Sequence, residues 1–171
     1  FTEENVDSAF DSLEYQEKLA DGTIAANVSL SDWRRQNVSA LVSALHKTVK
    51  EAGKQKNRDV TFGISPAGNL SNLRSDLQYY VDIDTWVGEE GYVMPQIYWG
   101  YTNDQAPFDQ TLEQWRTLTK DSPVQLYVGL QLYRMGSEDD GQSDHEELQD
   151  ASLIRKEITQ LQTDGVGGYC L

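Results

Sequence analysis

The stretch from Gly91 to Tyr101 combines side chains that could bind a ring bearing hydroxyl groups. It begins as an apolar strand, and its C-terminal end carries Gln96, Tyr98 and Trp99 before Tyr101. An apolar strand that ends in polar and aromatic residues is typical of a ligand-facing strand in a parallel α/β sheet. Aromatic faces pack on apolar C–H surfaces, and an amide offers both a donor and an acceptor. This chemistry suits a sugar; the alternative is that the aromatic rings belong to the core.

Alternation of side chains along a strand extends this candidate site to a second strand. Gln96 and Tyr98 share one face of their strand. Gln131 and Tyr133 share one face of the strand predicted at 124–133. A buried glutamine without a partner costs about 1–3 kcal/mol, so two glutamines at strand ends indicate a hydrated binding site. The alternative is that they bond to the backbone or to each other.

Three more residues extend the predicted binding surface. Trp99 and Tyr101 are expected to form a stacking platform at the mouth of the site. Asn69, in a glycine-flanked loop after the first predicted strand, is expected to add a polar contact. The two histidines, His46 and His145, are far apart in sequence and do not make a metal site, so no metal or cofactor is expected.

Catalytic carboxylates are absent from the ends of the predicted strands. A glycosidase normally needs two carboxyl groups about 5 to 9.5 Å apart. The nearest acids lie instead in loops, where carboxylates are usually only solvated: Asp104, Asp109, Glu138, Asp139 and Asp140. Ser65 has no histidine nearby in sequence and no Gly-x-Ser-x-Gly turn around it. The four predicted strand ends therefore offer no candidate pair of catalytic carboxylates.

Helical and strand patterns alternate along most of the chain. Helices are predicted at 31–52, 108–118 and 148–161, with a helical stretch at 70–86 that breaks near Asp82. Strands are predicted at 60–65, 92–99, 124–133 and 166–171, and a glycine- and acid-rich loop at 136–144. Residues 1–30 are acidic and irregular, with a short helix at 6–20. This order predicts an α/β fold with about four parallel strands and flanking helices.

Composition excludes several classes of function. The 171 residues suffice for one domain. The 28 acidic and 14 basic residues give a net charge of −14, which disfavours binding of nucleic acid. No apolar run approaches the roughly 20 residues that span a bilayer. The single cysteine, Cys170, excludes an internal disulfide and is expected to be an inert core thiol.

Four short motifs, in order, resemble the bacterial glycoside-hydrolase-like 10 family. They are Asp32–Val38, Phe62–Pro66, Pro95–Trp99 and Tyr127–Leu130. The resemblance implies a carbohydrate-active (β/α)8 TIM barrel that is secreted or held at the cell envelope. It implies that this chain is a partial barrel, strands five to eight, so that residues 31–171 form its C-terminal half. Residues 1–30 are then a long loop after a missing strand, and the family's two adjacent upstream aspartates are absent from this sequence. The resemblance thus implies that the catalytic residues lie upstream of Phe1.

The same resemblance orients the candidate site. It places Gln96, Tyr98, Gln131 and Tyr133 in the upper interior of the barrel. Trp33 and Arg34 begin a helix that would face the top of the barrel and touch substrate, and the alternative for them is a capping and salt-bridge role.

Three functional hypotheses follow. The first is a piece of a glycoside hydrolase that acts on a bacterial or cell-wall polysaccharide, inactive by itself. The second is a carbohydrate-binding barrel without catalysis, and the third is a complete small doubly wound α/β binding module. A half barrel would expose strand edges and its core, so a homodimer that covers the open edge is expected.

Overall fold

The computed structural model describes residues 11–75, 79–88, 91–136 and 146–171, without the side chains at 147 and 148. The helices are α1 (Ser12–Ala20), α2 (Leu30–Gln55), α3 (Leu70–Leu73), α4 (Ile83–Trp86), α5 (Phe108–Thr119), α6 (Glu146–Gln149) and α7 (Leu153–Thr163). The strands are β1 (Gly63–Ile64), β2 (Gly91–Val93), β3 (Val124–Leu126), β4 (Val128–Gly129) and β5 (Tyr169–Cys170), and a 3₁₀ turn spans Leu132–Arg134. The predicted α/β class is confirmed.

All strand pairs in the described residues are parallel, and within each sheet the paired strands are consecutive in the chain. One sheet has the order β1-β2-β3, and a second pairs β4 with β5. Single bridges from Gln96 to Ala67 and to Gly129 continue the pairing between the two sheets. Gln96 therefore lies where the extended end of β2 meets both of its neighbours.

One face of the sheet packs against helices. Ile97 and Val128 are fully buried there, together with Phe108, Leu112 and Trp115 of α5. The indole Nε1 of Trp115 also donates to the carbonyl oxygen of Gly68 at 2.6 Å. Helix α5 is thus joined to the loop after β1 by both packing and a buried hydrogen bond.

The opposite face, called the open face below, follows from the register of the strands. Residues paired across a parallel sheet share a face, and so do residues two apart along a strand. Gly129 pairs with Cys170 and bridges to Gln96, so these three residues lie in one row on the open face. Tyr92, Met94, Tyr98 and Tyr127, on the same face, are only partly buried.

Helix starts follow the local sequence closely. Ser29 caps α2, because its hydroxyl accepts the N–H of Asp32 at 3.0 Å. The helix predicted at 31–52 is confirmed and runs one turn further. The stretch at 70–86 is two short helices, capped by Asn69 and Asp82, since each side chain accepts backbone N–H groups of the next turn. Positions 76–78 between them lie outside the described residues.

Strand ends agree less well with the prediction. The strand predicted at 124–133 stops at Gly129, because Gln131 leaves the extended conformation with φ −94° and ψ 44°. Tyr133 therefore stands on a 3₁₀ turn and not on a strand. Cys170 is exposed, so the expectation of a core thiol is wrong. Most of the predicted loop at 136–144 and residues 6–10 lie outside the described ranges.

None of the helices in those ranges combines the length and the apolar character needed to cross a bilayer.

Candidate functional site

The side-chain amide of Gln96 is held by Ser65, the residue that follows β1. Its Nε2 donates to the backbone oxygen of Ser65 at 3.0 Å and lies 3.2 Å from the Ser65 hydroxyl. The Ser65 hydroxyl in turn donates to the carbonyl oxygen of Met94 at 2.8 Å. The amide predicted to contact a ligand thus has a defined orientation beside the row formed with Gly129 and Cys170.

Tyr98 and Tyr133 meet edge to face at the C-terminal end of the open face. Their ring centroids are 5.7 Å apart, with an angle of 82° between the planes. Gly129 lies beneath Tyr98, where a Cβ would make an ordinary contact of 3.6 Å with that ring. Burial raises the pKa of the Tyr98 phenol, and Tyr133 and Cys170 add to the shift. Tyr98 is therefore neutral at physiological pH, able both to donate and to accept.

Tyr133 is 71% exposed, so its ring is available to a ligand.

Gln131, in contrast, is fully buried, and neither amide atom has a hydrogen-bond partner among the described residues. An unpaired buried amide costs about 1–3 kcal/mol. This cost is the reason why glutamines at strand ends predicted a hydrated binding site. The structure thus brings Tyr98 and Tyr133 together and buries Gln131 at the end of the neighbouring strand.

Trp99 and Tyr101, predicted as a stacking platform, pack largely against the core. The Trp99 ring lies over Gly68, where a Cβ would come within 2.9 Å of it. Tyr101 contacts Phe108 with ring centroids 5.3 Å apart. Burial raises the pKa of Tyr101, and carboxylates led by that of Glu157 add to the shift. Only the remaining exposed part of each ring is available to a ligand.

Glu146 holds the turn after the aromatic strand end, and sequence reasoning missed it. Its Oε2 accepts the backbone N–H of Thr102 at 2.9 Å and lies 3.2 Å from the Thr102 hydroxyl. Gly100 makes room for this carboxylate, because a Cβ there would lie 2.2 Å from Oε2. The glycine between Trp99 and Tyr101 was the signal in the sequence that something approaches this turn closely.

Arg34 joins three segments of the chain. Its guanidinium donates to both carboxylate oxygens of Asp11 at 2.6–3.1 Å and to the hydroxyl of Tyr80 at 2.8 Å. The hydrogen bond with Asp11 raises the pKa of Arg34 further. Trp33 is buried beside Tyr15, with ring centroids 5.6 Å apart. The contacts of Arg34 are those of a salt-bridge role, which was the alternative to contact with substrate.

Asn69, predicted as a further polar contact, uses its Oδ1 to cap α3. That oxygen accepts the N–H groups of Ser71 and Asn72 at 2.9 and 3.2 Å. The carbonyl end of this amide is therefore already engaged, and the side chain fixes the start of a helix.

Comparison with known proteins decides the family. The family model described as glycosyl hydrolase-like 10 matches residues 2–146. This chain belongs to that family. The match confirms the resemblance carried by the four short motifs. It includes β1 to β4 and the glutamic acid at 146, and so most of the open face described above.

The chain is similar to two proteins that are named as glycosyl hydrolases. The chain is 33% identical over 126 residues to the glycosyl hydrolase DigH of Escherichia coli K12, which is 65% of this chain and 28% of that protein. It is 34% identical over 124 residues to the glycosyl hydrolase YngK of Bacillus subtilis, which is 64% of this chain and 24% of that protein. The matched segment thus spans about a quarter of each relative. No solved structure matches the chain.

Proposed function

We propose that this chain forms part of the sugar-binding wall of a glycoside hydrolase acting on a bacterial or cell-wall polysaccharide. The observation that carries the proposal is the grouping of Gln96, Tyr98 and Tyr133 at one end of the open face. An amide and two tyrosines offer hydrogen bonds to hydroxyls and ring faces to C–H surfaces. Family membership supports hydrolysis of a glycosidic bond as the reaction of the whole protein.

A partial (β/α)8 barrel is the architecture we propose for residues 31–171. In the described residues, strand neighbours follow chain order without a reversal. A doubly wound sheet instead reverses its order at a switch point, where ligands bind. Parallel strands that continue in order, with their C-terminal ends carrying the polar side chains, fit the barrel arrangement better.

In this proposal the chain binds and orients substrate and leaves bond cleavage to other groups. Gln96 would bond a sugar hydroxyl, while Tyr98 and Tyr133 would pack on a sugar ring. Glycosidases that invert or retain configuration normally place two carboxyl groups about 5 to 9.5 Å apart across the bond. The open-face residues named above include no aspartate or glutamate. We therefore expect this chain by itself to bind sugar without hydrolysing it.

Removing the Tyr133 ring tests the binding site. Tyr133→Ala should weaken the binding of chitotetraose or cellotetraose about tenfold, or about 1.4 kcal/mol. The matched control is Tyr79→Ala, because Tyr79 is also exposed, at 48%, but has not been placed in the site. Titration calorimetry measures both affinities. Equal affinities for the two variants and the unaltered chain would exclude Tyr133 from the site.

A carbohydrate-binding barrel without catalysis is the second candidate, favoured by the lack of carboxylates among the named open-face residues. An activity assay on the whole protein, with the same oligosaccharides and with cell-wall material, separates the two. Release of reducing ends would exclude the non-catalytic candidate.

We also propose that the isolated chain pairs with a second copy through its open strand edges. Strands β1 and β5 end the described sheets, and Tyr92, Tyr98 and Tyr127 nearby are only partly buried. Exposed apolar surface and unpaired strand edges favour association. Sedimentation equilibrium should show a mass near twice 19.3 kDa that falls on dilution. A stable monomer at all concentrations would contradict this pairing.

A further inference from the structure

The orientation of the Gln96 amide follows from the chemistry of its partner. A backbone carbonyl oxygen can only accept a hydrogen bond, so the amide atom that lies 3.0 Å from the Ser65 oxygen must be the nitrogen. The same nitrogen lies 3.2 Å from the Ser65 hydroxyl. Both N–H groups of Gln96 are therefore directed at one residue of the neighbouring chain segment.

The Ser65 hydroxyl has its own proton committed. It donates to the carbonyl oxygen of Met94 at 2.8 Å, so toward Gln96 it can only accept. The serine hydroxyl is thus a fixed acceptor and not a free nucleophile. Through these bonds, Ser65 joins its strand to both Met94 and Gln96 on the adjacent one.

The remaining polar atom of the Gln96 amide is its Oε1. Within the described ranges this oxygen makes no hydrogen bond, and the side chain belongs to the half-exposed open face beside Gly129. A carbonyl oxygen offers lone pairs and no proton. A ligand that bonds Gln96 here must therefore supply the hydrogen.

We propose that Ser65 is a positioning residue that makes Gln96 a dedicated acceptor, so that this part of the site selects sugars presenting a hydroxyl donor. The inference rests on the proposed function, because it assumes that a sugar binds the open face. Gln96→Glu should then weaken sugar binding, although glutamate and glutamine are similar in size. A carboxylate oxygen would face the Ser65 carbonyl and repel it.

The first experiment examines the ligand-free 171-residue chain. In ¹⁵N-labelled protein, the two Nε2 protons of Gln96 should exchange slowly with water. Ser65→Ala should speed this exchange about fivefold or more, since one acceptor is lost, and Ser65→Thr should restore slow exchange because it keeps the hydroxyl. Unchanged exchange in Ser65→Ala would show that Ser65 does not hold the amide.

The second experiment measures binding of cellotetraose and of its fully O-methylated form, which has no hydrogen-bond donor. The unaltered chain and Ser65→Thr should bind cellotetraose about fivefold more tightly than Ser65→Ala, while the three should bind the methylated form equally. Equal affinity of all three for cellotetraose would overturn the selecting role even if exchange had changed. A merely structural effect would weaken both ligands alike and would also overturn it.

Failure of the proposed function gives a different result. If the unaltered chain binds neither chitotetraose nor cellotetraose, the sugar site itself is wrong, and the selecting role of Ser65 falls with it. The exchange experiment then still reports whether Ser65 orients Gln96.

Discussion

Replacing Trp115 with alanine should lower the free energy of unfolding by about 3–5 kcal/mol, the range for deleting a large buried aromatic side chain. Trp115 is fully buried on α5, beside Phe108 and Leu112 in the main core. Its removal opens a cavity where the helix packs on the sheet. It also leaves the Gly68 carbonyl oxygen without the indole N–H that it accepts at 2.6 Å.

Trp115→Phe is the matched control for this prediction. Phenylalanine fills much of the same space but cannot donate to Gly68, so the cost should fall to about 1–3 kcal/mol, mainly from the unpaired carbonyl group. Urea unfolding followed by circular dichroism measures both variants. A loss below 1 kcal/mol in Trp115→Ala would contradict the packing described for α5.

The same substitution should reach the candidate site through Gly68. A Cβ at Gly68 would come within 2.5 Å of the backbone oxygen of Gln96, so the loop lies directly against that strand. If Trp115→Ala frees this loop, sugar affinity should fall together with stability. In Trp115→Phe both should fall less.

Replacing Arg34 with alanine should cost about 3 kcal/mol, because it removes one partner of a nearly buried ion pair. The Arg34 side chain is 8% exposed and that of Asp11 is 18% exposed. Without the guanidinium, the Asp11 carboxylate loses its hydrogen bonds, and the Tyr80 hydroxyl loses a donor. Tyr80 also has a left-handed backbone, with φ 51°, so losing this contact frees a strained residue.

Arg35 offers a control one position along the same helix. It pairs with Asp32 at 3.0 Å, but the Asp32 side chain is 55% exposed, and such pairs contribute at most about 1 kcal/mol. Arg35→Ala should therefore change thermal unfolding far less than Arg34→Ala. If Arg34→Ala instead leaves stability unchanged and abolishes sugar binding, Arg34 contacts substrate as the resemblance implied.

Local signals in the sequence predicted the helices well. The helix from Leu30 to Gln55 could be predicted because its cap, its apolar period and its basic end all lie within one segment. For α5 the apolar period was sufficient, since its buried side chains recur every three or four residues. The parallel α/β class followed from the alternation of such segments.

The details of the site depended on contacts that no local pattern contains. Gln131 and Tyr133 were assigned to a strand by alternation, but the backbone turns at Gln131, so Tyr133 reaches Tyr98 from a 3₁₀ turn. The two tyrosine rings therefore do meet, but through this turn and not through the alternation of side chains along a strand. Partial burial of Trp99 likewise depends on Gly68, which lies on a different strand connection.

Contacts between distant segments could not be predicted either, because no local sequence pattern contains them. Ser65 and Gln96 are 31 residues apart, and their hydrogen bonds exist only in one register of β1 against β2. Cys170 was assigned to the core from its apolar neighbours, whereas its pairing with Gly129 places it on the open face. Register between parallel strands is set by the whole packed unit, so sequence alone did not predict these neighbours.

The carboxylate of Glu146 also has a consequence for the order in which the chain assembles. Thr102 and Glu146 are 44 residues apart, so this contact forms only after the entropy cost of closing a long loop has been met. Before Glu146 arrives, the N–H of Thr102 has only water to bond. The turn at Gly100 therefore gains this contact only once α6 has docked, so the aromatic segment Tyr98–Tyr101 should become fully ordered late in folding.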